Sequence, residues 1–262
     1  MKRKPLFSIL YEDDLLVAVN KTAGLTVGAD RWDAAAPRLD RLLAAALAER
    51  EPEAGGTLYM VHRIDKDTSG LVVFAKTQET QRSLSAAFET RRVRKRYIAA
   101  VRGRPLWQET ACDLPLVPDG DKRHRTIIDR YRGKKSLTRF ALLGSAGNYS
   151  IVEARPETGR THQIRAHLAA LGHPVLCDDL YGTVKPLLLS EIKPAYRGDR
   201  WSERPLLARL GLHAAALSLP RHGTMLSLNA PLPRDLGALI AQMEKIAGKP
   251  FFGEYRIRTG DL

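Results

Sequence analysis

The apolar positions of this chain change their spacing several times, and each change marks an element. Near the start, "LLVAVN" (15–20) is a short continuous apolar run, the pattern of a buried strand, and Lys21-Thr22-Ala23-Gly24 ends it in a turn. Residues 36–51, "APRLDRLLAAALAERE", switch to helical spacing, and "EPEAGG" breaks them. A polar knot, His62-Arg63-Ile64-Asp65-Lys66-Asp67-Thr68-Ser69-Gly70, then runs directly into the apolar stretch Leu71-Val72-Val73-Phe74-Ala75, which reads as a second buried strand. Residues 77–91 predict a helix with Thr77 as its N-cap, and 95–103 a strand ending at Gly103. The middle, 107–130, contains Pro and Gly and predicts short strands with exposed loops.

Beyond it, 134–144 and 148–159 read as paired strands around Gly144 to Gly147, and 160–172 as a helix stopped by Gly172 and His173-Pro174. Another strand pair is predicted over 211–219 and 224–231, and a closing helix over 232–248 with its cap region at Pro233 to Asp235. Apolar runs fall in neighbouring pairs more often than in alternation with helices. That pattern predicts an α+β fold, a mixed and mostly antiparallel central sheet with flanking helices and loops. No repeat or long linker interrupts it, so a single domain is expected over 1–250. Residues 251–262 fit no element.

Of the 262 residues, 44% are hydrophobic and 27% charged, enough apolar content for a real core. No window approaches the roughly 18 apolar residues a membrane span needs. The basic N-terminus meets Glu12-Asp13-Asp14 before it can form a signal peptide's hydrophobic region, so a cytoplasmic protein without a membrane partner is expected. Cys112 and Cys177 belong to no CxxC pair and are expected to be buried free thiols.

Charge changes the picture more. A net charge of +13 repels itself in a compact fold, and a polyanionic partner accounts for it. The basic residues also cluster: "RRVRKR" (91–96) is almost entirely cationic, and 121–139 is rich in Lys and Arg. Both favour a phosphate backbone, with Arg91, Arg92 and Arg94 as candidate contacts.

Familiar catalytic motifs are missing. The chain has no GxxxxGK[ST] loop, no GxGxxG fingerprint, no GxSxG elbow and no HExxH. His162 and His167 lack the spacing and companions of a zinc site. Two stretches remain. The polar knot at 62–70 is either an ordinary turn, bonded to its own backbone, or a turn whose carboxylate has chemistry to do. In 154–174, Ile164, Leu168 and Leu171 share one face of a helix beginning near Thr161, with His162, Arg165 and Ala169 on the adjacent flank. Arg165 either snorkels to solvent or is aimed at a carboxylate elsewhere. Arg160, the Thr161 hydroxyl and free N–H groups at that helix start suit an anion such as a phosphate.

In order, "HRIDKDTSG", "KRYIAAVRG", "TGRTHQIRAHLAALGHPVLCDDLYG" and "RLGLHAAAL" resemble the motifs of the RluA-type RNA pseudouridine synthases, and the likeness runs from about residue 8 to residue 240. The resemblance implies an enzyme that isomerises chosen uridines of structured RNA, ribosomal or transfer, with no cofactor and no metal; a monomer without an obligate protein partner is the simplest expectation. It implies that Asp65 is the catalytic aspartate, acting as nucleophile or as base at the ribose. Arg165 would lie beside it and oppose the neutrality that burial imposes on a carboxylate. Tyr97 would lie against the target base, a flat wall for an unstacked uracil, and Leu212 on the ring's other side. Arg63 would help hold the RNA with its base everted, and His62, Thr68, Arg160, Thr161 and His162 complete the implied RNA contacts.

The chain departs from that family at Thr22, where proline is common, and at Cys177, where glycine is usual; the second puts a local turn in question. The family core begins almost at the first residue, so the catalytic domain is expected to choose its RNA alone, through 91–96, 121–139 and 185–205. Two rivals share parts of the pattern. A non-catalytic RNA-binding protein would need the charge but not Asp65, Tyr97 and Arg165 together. A hydrolase releasing the base would need an acidic partner to activate water, and the sequence shows none.

Overall fold

The computed structural model describes residues 5–30, 33–50, 57–193, 195–199, 201–221 and 223–252. In chain order its first elements are β1 (Phe7–Glu12), β2 (Leu16–Lys21), α1 (Leu39–Arg50), β3 (Tyr59–Met60), β4 (Ser69–Ala75), α2 (Gln78–Glu89), β5 (Arg94–Arg102) and β6 (Glu109–Cys112). There follow β7 (Leu116–Val117), β8 (Ile127–Ile128), β9 (Thr138–Ala146), β10 (Tyr149–Pro156), α3 (Gln163–Ala170), α4 (Leu189–Ile192), β11 (Leu212–Arg221), β12 (Thr224–Asn229) and α5 (Arg234–Ala247). Pairing is antiparallel for β1–β2, β2–β4, β3–β4, β5–β10, β9–β10, β6–β9, β11–β12 and the small β7–β8 ladder. One parallel bridge joins Thr26 and Arg38. Among the described residues no helix is long and apolar enough to cross a membrane.

The stretch read as one domain divides into two compact units, Met1–Lys95 with Ala214–Ala230, and Arg96–His213 with Pro231–Leu262. In the first, α2 lays Leu84 and Ala87 on Leu71 and Val73 of β4 and on Leu217 and Leu219 of β11. The Thr77 hydroxyl caps α2, accepting the Thr80 N–H at 3.1 Å. Gly70 opens β4 at φ 113, and a Cβ there would collide with the Ala214 backbone, so only glycine fits. His62 accepts the Val73 N–H on Nε2 at 3.0 Å and stacks on Phe88 at 4.8 Å. Burial, with Lys95 adding positive charge, pushes its pKa down to about 3, so the ring stays neutral.

Lys21 departs most from its sequence reading. Taken as part of a turn, it ends β2 pointing inward and is 1% exposed. Its ammonium donates to the carbonyls of Thr22 at 3.0 Å, Leu25 at 2.7 Å and Lys66 at 2.8 Å. Lys66 O also accepts the Gly24 N–H at 2.9 Å. The residue after Asp65 is thereby fastened to the end of β2.

In the second unit, Ile164 and Leu168 of α3 pack with Ala99, Val101, Phe140, Val152 and Ala154 of the strands. The hairpin between β9 and β10 turns at Gly147, φ 56, while Gly144 lies inside β9, where the Phe251 ring takes the place of a side chain. Phe251, in the stretch that fitted no element, is 5% exposed, and its N–H reaches Glu244 at 2.8 Å. Residues 253–262 of that stretch, and the break read at 51–56, lie outside the described residues.

A buried polar chain ties α3 to β9. The Thr158 hydroxyl donates to Gln163 Oε1 at 2.7 Å, and Gln163 Nε2 donates to Leu137 O at 3.0 Å and Thr138 Oγ1 at 2.9 Å. His167 bridges the Thr138 hydroxyl and Leu114 O, each at 3.0 Å. Since a carbonyl only accepts, Nε2 carries the proton and Nδ1 accepts from Thr138. Burial lowers the pKa of His167 as well. Of the two thiols, Cys112 is buried as expected; Cys177 is only half-buried, and it occupies a left-handed turn at φ 57. That conformation costs a non-glycine residue about 1–3 kcal/mol, consistent with glycine being usual there.

Lys21→Met keeps the stem but removes a buried donor from three carbonyls, of which Lys66 O keeps the Gly24 N–H, and is expected to destabilise the protein by about 3 kcal/mol in urea unfolding. An unchanged midpoint would show the ammonium to be dispensable. Both histidines have folded pKa values below their unfolded 6.5, so their contribution is present above about pH 6.5 and is lost as the unfolded chain takes up protons at lower pH. The urea midpoint should therefore fall between pH 7 and pH 5, and a flat profile there would contradict the buried neutral rings.

Candidate functional site

The residues singled out in the sequence divide between the two units: the 62–70 knot and Arg91, Arg92 and Arg94 belong to the first, Tyr97, 160–165 and Leu212 to the second. In the first unit the knot is a built turn. Ile64 is buried, the Asp65 carbonyl accepts the Thr68 N–H at 3.1 Å, and the chain then enters β4. Arg63 is exposed and Asp65 half-buried. Thr68 is 2% exposed, and its hydroxyl has no hydrogen-bond partner among the described residues. A buried unpaired hydroxyl costs about 1–3 kcal/mol, a cost repaid when a ligand supplies the partner.

His62, read as an RNA contact, is half-buried; its Nε2 and one ring face are engaged with β4 and Phe88, which holds the knot against α2. Arg91, Arg92 and Arg94 are exposed, with Arg91 in a left-handed turn at φ 59 and Arg92 donating to the Thr90 hydroxyl at 3.2 Å. Lys95, next in the run, has its pKa lowered by burial to about 8.

In the second unit Tyr97 lies on β5 opposite Ala154, half-buried against the strand core, and Leu212 belongs to that core at 3% exposure. Helix α3 begins at Gln163 rather than near Thr161, after His162 in a left-handed conformation, φ 50. The reason is local. The Gln163 N–H bonds back to Arg160 O at 3.2 Å, and the Gln163 side chain takes the Arg160 N–H at 3.0 Å. Two of the groups that the sequence offered to an anion are therefore already used. The Arg160 guanidinium reaches Lys135 O at 3.2 Å, Thr161 is exposed, and His162 Nδ1 lies 3.2 Å from the Tyr181 hydroxyl.

Arg165 does not snorkel; it is 4% exposed. Its Nε and a terminal nitrogen grip Asp178 at 2.7 and 2.8 Å, and its plane lies over the Tyr181 ring, 5.2 Å from the centroid. Asp178, 0% exposed, also accepts the N–H groups of Leu180 at 3.0 Å and Tyr181 at 3.1 Å. Backbone bonds set this up: Arg102 N–H to Pro174 O at 3.0 Å and Leu176 N–H to Ala100 O at 2.8 Å run 174–176 along β5 and deliver Asp178 to the helix. Tyr181 also bonds both backbone groups of Thr126, at 2.7 and 3.1 Å, and burial raises its pKa to about 12.

Asp178 and Tyr181 were missed as supporting residues, as was Lys21. A signal for the first two existed in "CDDLYG", paired carboxylates beside an aromatic soon after an arginine-bearing helix. A buried guanidinium requires a buried carboxylate, and these were the first to follow it in the sequence.

A family model described as RNA pseudouridylate synthase matches residues 15–170. Ribosomal large subunit pseudouridine synthase D of Zymomonas mobilis is 35% identical over 247 residues, which covers 90% of this chain and 72% of that protein. The dual-specificity RNA pseudouridine synthase RluA of Escherichia coli is 33% identical over 232 residues, 87% of this chain and 94% of that protein. The solved structure of human RNA pseudouridylate synthase domain containing 4 is similar at a TM-score of 0.71 and 25% identity, over 90% of this chain and 92% of that one. Of the D-type synthases of Neisseria meningitidis and Nitrosomonas europaea, the chain spans 62% and 65% of their length. Similarity of this extent, in sequence and in fold, has one meaning: the chain belongs to the RNA pseudouridylate synthase family.

Proposed function

We propose that this chain converts uridine to pseudouridine in structured RNA, with Asp65 as the catalytic carboxylate. The observation that carries the reading is the knot itself: Asp65 is half-buried on a turn whose next carbonyl is held by the Lys21 ammonium, one turn ahead of the unpartnered Thr68 hydroxyl. A solvated surface turn needs neither a buried clamp nor a buried free hydroxyl. In the reaction the C1′–N1 bond breaks, the uracil rotates, and C5 bonds to C1′; the C5 proton then leaves and N1 gains one. Asp65 serves either as nucleophile at C1′ or as base at the ribose, and in both roles it must be ionised.

Arg165 takes the role of the cation that favours the ionised form, and its grip on Asp178 supports this because it fixes the guanidinium before substrate arrives. Tyr97 supplies the flat wall for the everted base, and Leu212, Arg63, Thr68, Arg160, Thr161 and His162 are the further contacts. The enzyme is taken as a cytoplasmic monomer. Its relatives' names make large-subunit ribosomal RNA the substrate to test first, with transfer RNA second.

Asp65→Asn should lower pseudouridine formation by at least about 10⁴-fold while leaving RNA affinity within about twofold, as read by chromatography of digested RNA and by a binding assay. Normal turnover by that variant would overturn the assignment; free uracil from wild type would indicate a hydrolase, and unaltered RNA a binding protein. Reversing Arg91, Arg92 and Arg94 to Glu should weaken RNA binding and flatten its salt dependence, by about 0.7–0.9 in log–log slope for each phosphate no longer neutralised. Unchanged affinity would move the footprint elsewhere.

A further inference from the structure

Two aromatic rings of the second unit stand wholly in water, each on a turn that an aspartate builds. Tyr131 is 100% exposed and Trp201 99%. Scattered exposed apolar side chains are normal in any protein, so exposure alone carries nothing. The backbone beneath these two is what distinguishes them.

At the first turn, Asp129 Oδ1 accepts the N–H groups of Tyr131 and Arg132, both at 2.9 Å, and Oδ2 accepts Arg132 Nε at 2.7 Å. The Asp129 N–H bonds Pro115 O at 3.1 Å, and its carbonyl accepts the Gly133 N–H at 2.9 Å. Lys134 then exchanges both backbone bonds with Leu116, at 3.0 and 2.9 Å, and Leu116 is 0% exposed. A Cβ on Gly133 would collide with the Asp129 carbonyl and with Pro115, so the turn closes tightly. Trp201 repeats the device: Asp199 Oδ1 accepts its N–H at 3.0 Å, and Oδ2 accepts the Ser202 hydroxyl at 2.9 Å. Both turns read Asp-Arg-aromatic in the sequence, at 129–131 and 199–201.

The surroundings indicate what such a ring would meet. Arg130, Arg132, Lys134 and Lys135 are all exposed beside Tyr131. Cations interleaved with a rigidly mounted aromatic ring form the chemistry that holds single-stranded nucleic acid: the base stacks on the ring while the cations take the phosphates on either side. A backbone fixed in advance leaves only the ring's own torsions to be ordered on binding, which is the gain from building the turn so firmly. A paired base has both faces covered within its own helix, so a platform of this kind selects unpaired bases.

We propose that Tyr131, and by the same construction Trp201, are stacking platforms for unpaired bases of the RNA substrate, with Arg130, Lys134 and Lys135 on the neighbouring phosphates. This rests on the reading of the chain as an enzyme of RNA. It adds a means of choosing loops over duplex.

The test uses the full chain, a stem–loop RNA with a seven-base unpaired loop, and a blunt duplex carrying the same number of phosphates. Binding is measured by fluorescence anisotropy at several salt concentrations. Tyr131→Ala and Trp201→Ala should each lose about tenfold on the stem–loop and less than about twofold on the duplex, whereas Tyr131→Phe should match wild type. The salt slope should not change, because no cation is removed. Thermal melting should be unaltered, since neither ring is buried. For either residue, wild-type affinity of its Ala variant, or an equal loss on both RNAs, would overturn the assignment. Wild type that binds the stem–loop but forms no pseudouridine in unmodified ribosomal or transfer RNA would overturn the enzymatic reading and leave this comparison standing. Wild type that binds neither RNA would overturn both.

Discussion

An ammonium taken out of water must find acceptors for its N–H bonds, and that requirement organises the first unit. Lys21 meets it with the carbonyls of Thr22, Leu25 and Lys66. The first two lie in the loop that leaves β2; the third belongs to a turn 45 residues later. Satisfying one charge therefore draws two distant loops to a single point, and the register of β2 on β4, with Lys21 opposite Gly70, follows the same line. Asp65 sits one residue before the captured carbonyl. Its position is a by-product of where a buried lysine can be solvated by peptide groups.

The second unit answers the same demand with different chemistry. Arg165 is buried on α3, and its planar donor fork is gripped by Asp178 in two parallel bonds, with Asp179 at 3.5 Å and an aromatic face beneath. A broken pair of this kind leaves an uncompensated charge, so the arrangement has steep walls. The neighbouring chain through Thr158, Gln163, Thr138 and His167 is neutral throughout and leaves each member with a partner. Apart from the Thr68 and Thr126 hydroxyls, the buried polar groups described around the candidate residues of each unit are paired, which fixes side chains more narrowly than apolar packing does.

Much of this was legible. The paired apolar runs gave the antiparallel pairs, Thr77 capped its helix, and the order of motifs pointed to the family before any coordinate was considered. What escaped was decided by tertiary context. Lys21 looked like a turn residue because turns favour polar side chains, and nothing local says that its ammonium faces inward. β1 was assigned no element because Phe7–Glu12 is only half-buried and gains its strand character from β2. Helix α3 starts late because the Gln163 side chain bonds backward, a choice invisible in hydrophobic spacing. Likewise, Gly144 looked like a turn glycine, whereas it is a hollow in β9 shaped for a ring from far along the chain.

That hollow bears on where this protein can be cut. Phe251 follows α5 by only a few residues and would be trimmed by anyone ending the chain at the last helix. Its ring is nevertheless a core side chain, and losing such a ring costs about 3–5 kcal/mol, a sizeable part of the stability a domain of this size commands. Among the described residues helix α5 is the last regular element, yet the folded unit continues past it. A shortened or fused version that respects the fold has to keep the chain through residue 252, and a tag attached sooner would compete with the phenylalanine for the surface of β9.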